Sequence, residues 1–177
     1  MSTPRIAVIG PESTGKTALS KRLAAHFDTE DVPEVARGWI ENLGRPYIQE
    51  DLLEICRAQE EAEEQRLAGN PPVLICDTNI TVIRIWSAFR FGSVDPFIIE
   101  REKSRQYDLI LLTDIDIPWV DDPLREHPQN REELFSIYYR SLIESGLDFR
   151  IVFGEGEDRF RRAISLADAV VLKRTRT

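Results

Sequence analysis

Gly10 and Gly15 stand five residues apart, with Lys16 and Thr17 directly behind the second. The stretch Gly10-Pro11-Glu12-Ser13-Thr14-Gly15-Lys16-Thr17 fits Gly-x-x-x-x-Gly-Lys-[Ser/Thr], the phosphate-binding P-loop pattern. Its chemistry follows from the residue types. The glycines allow backbone angles that side chains forbid. Successive N–H groups can then turn inward and cradle phosphate oxygens. Lys16 reaches the β- and γ-phosphates, and the Thr17 hydroxyl reaches Mg²⁺. A helix that opens at this point adds the positive end of its dipole. Gly10, Glu12, Ser13, Thr14, Gly15, Lys16, Thr17 and Ala18 are therefore the expected phosphate-binding residues.

The flanking elements suit that reading. Residues 5–9 form a short apolar, β-branched run, a strand that feeds the loop. Behind it Ala18, Leu19, Leu23 and Phe27 recur at helical spacing. Further strand candidates are residues 32–35, 73–76, 109–112 and 149–153, each a brief apolar run suited to burial on both faces. Between them lie helical patterns. Leu52, Ile55, Cys56, Ala58 and Ala62 share one face, and Val82, Ile83, Trp86 and Phe89 form a second apolar stripe. Asp95-Pro96 predicts an N-cap followed by proline at the first helical position. Asn130 with Glu133 predicts a capping pair for a helix that stops at Gly146. Strands alternating with helices predict an α/β fold of the P-loop NTPase type. The expected form is a three-layer sandwich around a five-stranded parallel sheet of order 2-3-1-4-5.

Asp77 follows the third strand candidate directly. A carboxylate beside the P-loop strand can be associated with Mg²⁺ or can accept a substrate hydroxyl proton. The plain alternative is a helix N-cap. Glu34 and Arg37 sit at and just past the end of the second strand candidate, where a small kinase meets its acceptor. Residues 117–130 hold Pro118, Pro123 and Pro128 and read as an irregular lid. Trp119, Asp121, Asp122, Arg125 and Arg131 occupy or flank it. Arg125, and Arg131 with it, are expected to bring positive charge over the transferring phosphoryl group. Among the tryptophans, Trp39 and Trp119 follow strand ends and are candidates for stacking on a flat substrate ring, whereas Trp86 reads as core. His26 and His127 lack metal-ligand partners at useful spacing.

A chain of 177 residues with 42% hydrophobic content suits one domain, expected over 1–177. Its net charge of −8 argues against a broad nucleic-acid or membrane surface, but not against a local phosphate site. Cys56 and Cys76 lie in apolar stretches and are expected as reduced core thiols of a cytoplasmic protein. Residues 1–5 lead straight into the first strand, so no secretion signal is expected.

Together these stretches resemble the ribosylnicotinamide kinase domain family, the C-terminal P-loop kinase domain of NadR-type proteins and its single-domain relatives. Four segments carry the resemblance: the P-loop; Val35-Ala36-Arg37 with Leu43-Gly44-Arg45-Pro46-Tyr47; Cys76-Asp77-Thr78; and Pro118-Trp119-Val120-Asp121-Asp122-Pro123-Leu124-Arg125. The last is the most specific. The resemblance implies phosphorylation of nicotinamide riboside on its 5′-hydroxyl, with ATP and Mg²⁺. Lys16, Asp77 and Arg125 would carry the chemistry, Thr17 and Asp77 the metal, and Arg131 would join the nucleotide site. Glu34, Arg37, Trp39, Trp119, Asp121 and Asp122 would surround the acceptor. Two departures are visible. Asn79 stands where relatives often carry a second acid, and Gly38-Trp39 where they often carry Glu-Tyr. A kinase for another nucleoside or small metabolite, and a regulatory ATP-binding module, are the rival readings. Small-molecule partners are expected, with no nucleic acid and no membrane.

Overall fold

The computed structural model describes residues 2–175. Along the chain the elements are β1 (Arg5–Ile9), α1 (Lys16–His26), α2 (Val35–Asn42), α3 (Gln49–Ala68), β2 (Leu74–Asp77), α4 (Ile80–Phe91), α5 (Pro96–Ser104), β3 (Leu109–Thr113), α6 (Arg131–Ser145), β4 (Phe149–Val152) and α7 (Gly156–Thr175). The sheet is parallel, with order β2-β1-β3-β4 and the P-loop strand inside it.

Strand alternation divides the core. Ala7 and Ile9 of β1 face one side, packed with Val82 and Ile85 of α4 and Tyr138 and Leu142 of α6. Ile6 and Val8 face the other, packed with Leu19 and Leu23 of α1 and Ala163 and Ala167 of α7. Successive strand residues point to opposite faces, so a run apolar at every position is what a sheet covered on both sides requires. A third cluster, with Ala36, Leu52, Ile55, Ile80 and Ile98, ties α2 and α3 to α4 and α5 beside the sheet. Asp95 caps α5 by accepting from the Phe97 amide at 2.8 Å, with Pro96 next in line. At α6, Asn130 instead donates its side-chain amide to Glu133, and Gly146 ends the helix in the left-handed region.

One expectation is corrected. Among the described residues four strands form, not five. Residues 32–35 contribute a single bridge, Val32 to Cys76, in which Val32 N donates to Ile75 O and Asp77 N donates to Val32 O, both at 2.8 Å. Pro33 has no N–H to extend that ladder, and Val35 already opens α2. The bridge lies outside β2, at the sheet edge where the missing strand was expected, so the order of the remaining strands is as predicted. Among the described residues no helix is long and apolar enough to cross a membrane. Both cysteines are free and buried.

Candidate active site

The loop between β1 and α1 is held by backbone geometry and by β3. Gly10 has φ 144°, and a Cβ there would lie 2.9 Å from the Thr113 carbonyl oxygen, so only glycine fits. Ser13 at φ 55° and Gly15 at φ 75° keep the loop in the left-handed region. Thr14 donates to Pro11 O or shares a hydroxyl bond with Thr113, at 2.8 and 2.7 Å. Gly15 caps α1 without a side-chain bond, which leaves the first-turn amides to an anion. Lys16 Nζ folds back and donates to Pro11 O at 2.8 Å. Behind the loop, buried Arg159 donates to Thr14 O, to Asp116 and to Gly154 O. Sequence reading missed this brace; its nearest loop partner is 145 positions away.

These residues open into a cavity of about 290 Å³. Every expected phosphate-binding residue from Gly10 to Ala18, apart from Arg131, lines it, as do Glu34, Arg37 and Arg125. Burial pushes the Glu34 carboxyl above its ordinary range, while the Lys16 charge pulls it down. Asp77 ends β2 at 1% exposure, and its Oδ1 has no partner. Burial raises this carboxyl too, against a hydrogen bond from the Thr17 hydroxyl and the charge of Lys16. The N-cap alternative for Asp77 does not hold: α4 is capped at Asn79, without a side-chain bond. Asn79 Oδ1 is likewise buried and unpartnered.

Residues 114–130 form neither helix nor strand, and this segment lies across the loop. The Val120 amide donates to Ser13 Oγ at 2.8 Å. Arg125 donates to the same oxygen at 3.3 Å and to Val120 O. Arg131 reaches Ser13 O at 3.2 Å and Ile117 O at 3.0 Å. Arg37 from α2 binds Asp122 at 2.6 Å, which holds that carboxyl below its ordinary range. Asp121 accepts from the Trp119 indole at 2.8 Å, and the Arg125 and Arg131 guanidinium groups sit 5.8 and 6.0 Å from the Trp119 ring. Trp119, Asp121 and Asp122 thus organise the lid and its arginines; they are not among the residues lining the cavity.

The aromatic wall differs from expectation. Trp39 packs into the third core cluster, while its neighbour Ile40 lines the cavity. Trp86, expected in the core, packs half-buried against the first and third core clusters and also lines this cavity and an adjoining one of about 220 Å³. That second cavity shares the acid Glu12 with the first and adds Tyr47, Phe89, His127 and the acid Glu126. Tyr47 donates to Glu126 at 3.1 Å, and the His127 ring meets Phe89 edge-on at 4.9 Å. The stripe Val82, Trp86, Phe89 was visible in the sequence, but not which part of it the cavity would take.

The trifunctional NAD biosynthesis/regulator protein NadR of Escherichia coli K12 is 25% identical over 170 residues, which cover 91% of this chain and 41% of the relative. A tRNA dimethylallyltransferase of Corynebacterium efficiens is 31% identical over 128 residues, 59% of this chain and 42% of the relative. The chain thus spans about two-fifths of the length of these curated relatives. Among solved structures, NadR protein in complex with NR superposes with TM-score 0.83 at 24% identity, covering 96% of this chain and 52% of the other. Thymidylate kinase from Ehrlichia chaffeensis superposes with TM-score 0.68 at 14% identity, covering 97% of this chain and all of its own. A family model described as AAA domain matches residues 5–159. The chain belongs to that family.

Proposed function

We propose that this member of the AAA-domain family is an ATP-dependent small-molecule kinase, and that its acceptor is the 5′-hydroxyl of nicotinamide riboside. The observation that carries the reading is the junction of two cavities. A phosphate cradle with Lys16 and Arg125 opens onto an aromatic chamber walled by Trp86, Tyr47 and Phe89 with two acids and Arg90, and the two share Glu12, Ile40, Trp86 and Leu124. Aromatic faces and carboxylates attract a flat cation, and the nicotinamide ring of the riboside is one. The likeness to NadR supports the same assignment.

Lys16 would leave Pro11 O for the β- and γ-phosphates. The amides at the start of α1 would hold the same oxygens. Arg125 and Arg131, placed at Ser13, would face the charge that spreads over the γ-phosphoryl oxygens. Glu34, on the cavity wall beside Lys16, would hold the acceptor hydroxyl. The residues present fit Mg²⁺: the buried, partnerless Asp77 Oδ1 lies beside the Thr17 hydroxyl, an oxygen pair of the kind that ion takes. When bound there, the ion would neutralise phosphate charge. The enzyme would work by positioning and electrostatics, with water kept out by the lid.

The test is transfer of labelled phosphate from ATP to a panel of nucleosides, measured against ATP hydrolysis. Nicotinamide riboside should be the fastest acceptor. Faster phosphorylation of uridine or adenosine would overturn the acceptor assignment, and hydrolysis without transfer would overturn the kinase.

A further inference from the structure

Glu12 is a poor choice for a residue whose task is to bind phosphate. It stands inside the anion cradle and carries a negative charge, which opposes the phosphates next to it. Its carboxylate is turned elsewhere. It accepts the backbone amides of Glu126 at 3.2 Å and His127 at 3.0 Å, residues 114 and 115 positions away. These two amides immediately follow Arg125, whose guanidinium reaches the Ser13 hydroxyl beside Glu12. Two consecutive N–H groups on one carboxylate are charge-assisted bonds, roughly twice as strong as neutral ones. They fix the chain on the C-terminal side of Arg125, while Ser13 fixes the Val120 amide on its N-terminal side at 2.8 Å. Arg125 is thereby clamped between two neighbouring P-loop side chains. The Glu126 carboxylate accepts from Tyr47 at 3.1 Å, so the same latch shapes the aromatic chamber.

We infer that Glu12 is a positioning residue that latches the lid. It holds the 125–127 segment on the P-loop, sets Arg125 over the transferring phosphoryl group and closes the acceptor chamber. The catalytic part of this statement rests on the kinase reading; the latch itself does not. Loss of the carboxylate removes both amide bonds. A glutamine keeps an acceptor oxygen without the charge and retains part of the latch.

Trypsin cleavage after Arg125 reports the latch directly, because a protease needs the lid chain free of the loop. Glu12→Ala should be cut there at least about tenfold faster than wild type, a lower bound set by the loss of just one of the two charge-assisted bonds. Glu12→Gln should fall between the two, with the melting temperature monitored to exclude global unfolding. In the transfer assay Glu12→Ala should lose kcat by a similar factor and divert turnover toward ATP hydrolysis, without a rise in the ATP KM. Equal cleavage of all three proteins would overturn the latch. So would tighter ATP binding in both variants with kcat unchanged, since the carboxylate would then act only as a charge beside the phosphates. If no protein phosphorylates any acceptor, the kinase reading fails, and cleavage still decides the latch.

Discussion

Asp77→Asn should make the ligand-free protein more stable and the enzyme worse. The carboxyl is 1% exposed, one oxygen has no partner, and burial lifts its pKa above the ordinary aspartate range. A buried polar group left unpaired costs about 1–3 kcal/mol, and more when charged. Asparagine can keep the Thr17 bond through its oxygen and gives up the buried charge, but its amide nitrogen still finds no partner. The net gain should be about 1–2 kcal/mol. For a chain of this length that raises the melting temperature by about 2–8 °C. The assay is thermal unfolding with and without ATP and Mg²⁺. Ligand should stabilise wild type far more than the variant, since binding to the native state adds stability by mass action. Turnover should fall at the same time, as expected where a strained group serves function at a cost in stability. A variant less stable than wild type without ligand would refute the reasoning. It would mean that the carboxylate satisfies the fold and is not held in reserve for a ligand.

Three further outcomes follow from the same geometry. Lys16→Ala, which removes the bond to Pro11 O and the positive charge facing the Glu34 and Asp77 carboxyls, should keep the fold and lower turnover at least ~100-fold; circular dichroism and steady-state kinetics check both. Trp86→Ala should lower stability and raise the acceptor KM well above any change in the ATP KM, because Trp86 packs against the first and third core clusters and lines both cavities, whereas Trp39→Ala should lower stability alone, because Trp39 packs against the third cluster and lines neither cavity. Glu63 is fully buried, and burial holds its carboxyl above the ordinary range against the charge of Arg105 and a bond from Tyr107. A carboxyl raised on folding contributes stability that is present below its unfolded pKa and lost as pH rises through the folded one. Glu63→Gln cannot titrate, so its melting temperature relative to wild type should climb as pH rises above the ordinary glutamate range, and a constant difference across that range would count against the shift.

The parts of the site legible in the sequence are those that local chemistry dictates. Gly10 is readable because the phosphate-loop pattern needs backbone angles there that side chains forbid, and Lys16 because no other residue type performs its task at that spacing. The lid showed itself through three prolines that no regular element accommodates. What was not legible depends on how elements pack. Trp39 and Ile40 are adjacent on α2, about 100° apart around the helix axis. Whether one or the other meets the cavity is set by how α2 docks on α3, a tertiary fact. Trp86 was legible as core, which it joins, but not as cavity wall: an apolar stripe on α4 has room for both, and periodicity does not mark where one ends. The second strand failed on a single residue, since Pro33 follows the only position that pairs. Arg159 carried no local sign at all, because its partners come from the P-loop, from Asp116 and from Gly154. The lid contacts add a different lesson. Glu12 fits the phosphate-loop pattern only as an unspecified position, yet its carboxylate accepts the Glu126 and His127 amides of the segment that lies across the loop. A motif specifies the residues that touch the ligand and leaves its variable positions free, and here one of those positions joins the cradle to the segment that lies across it.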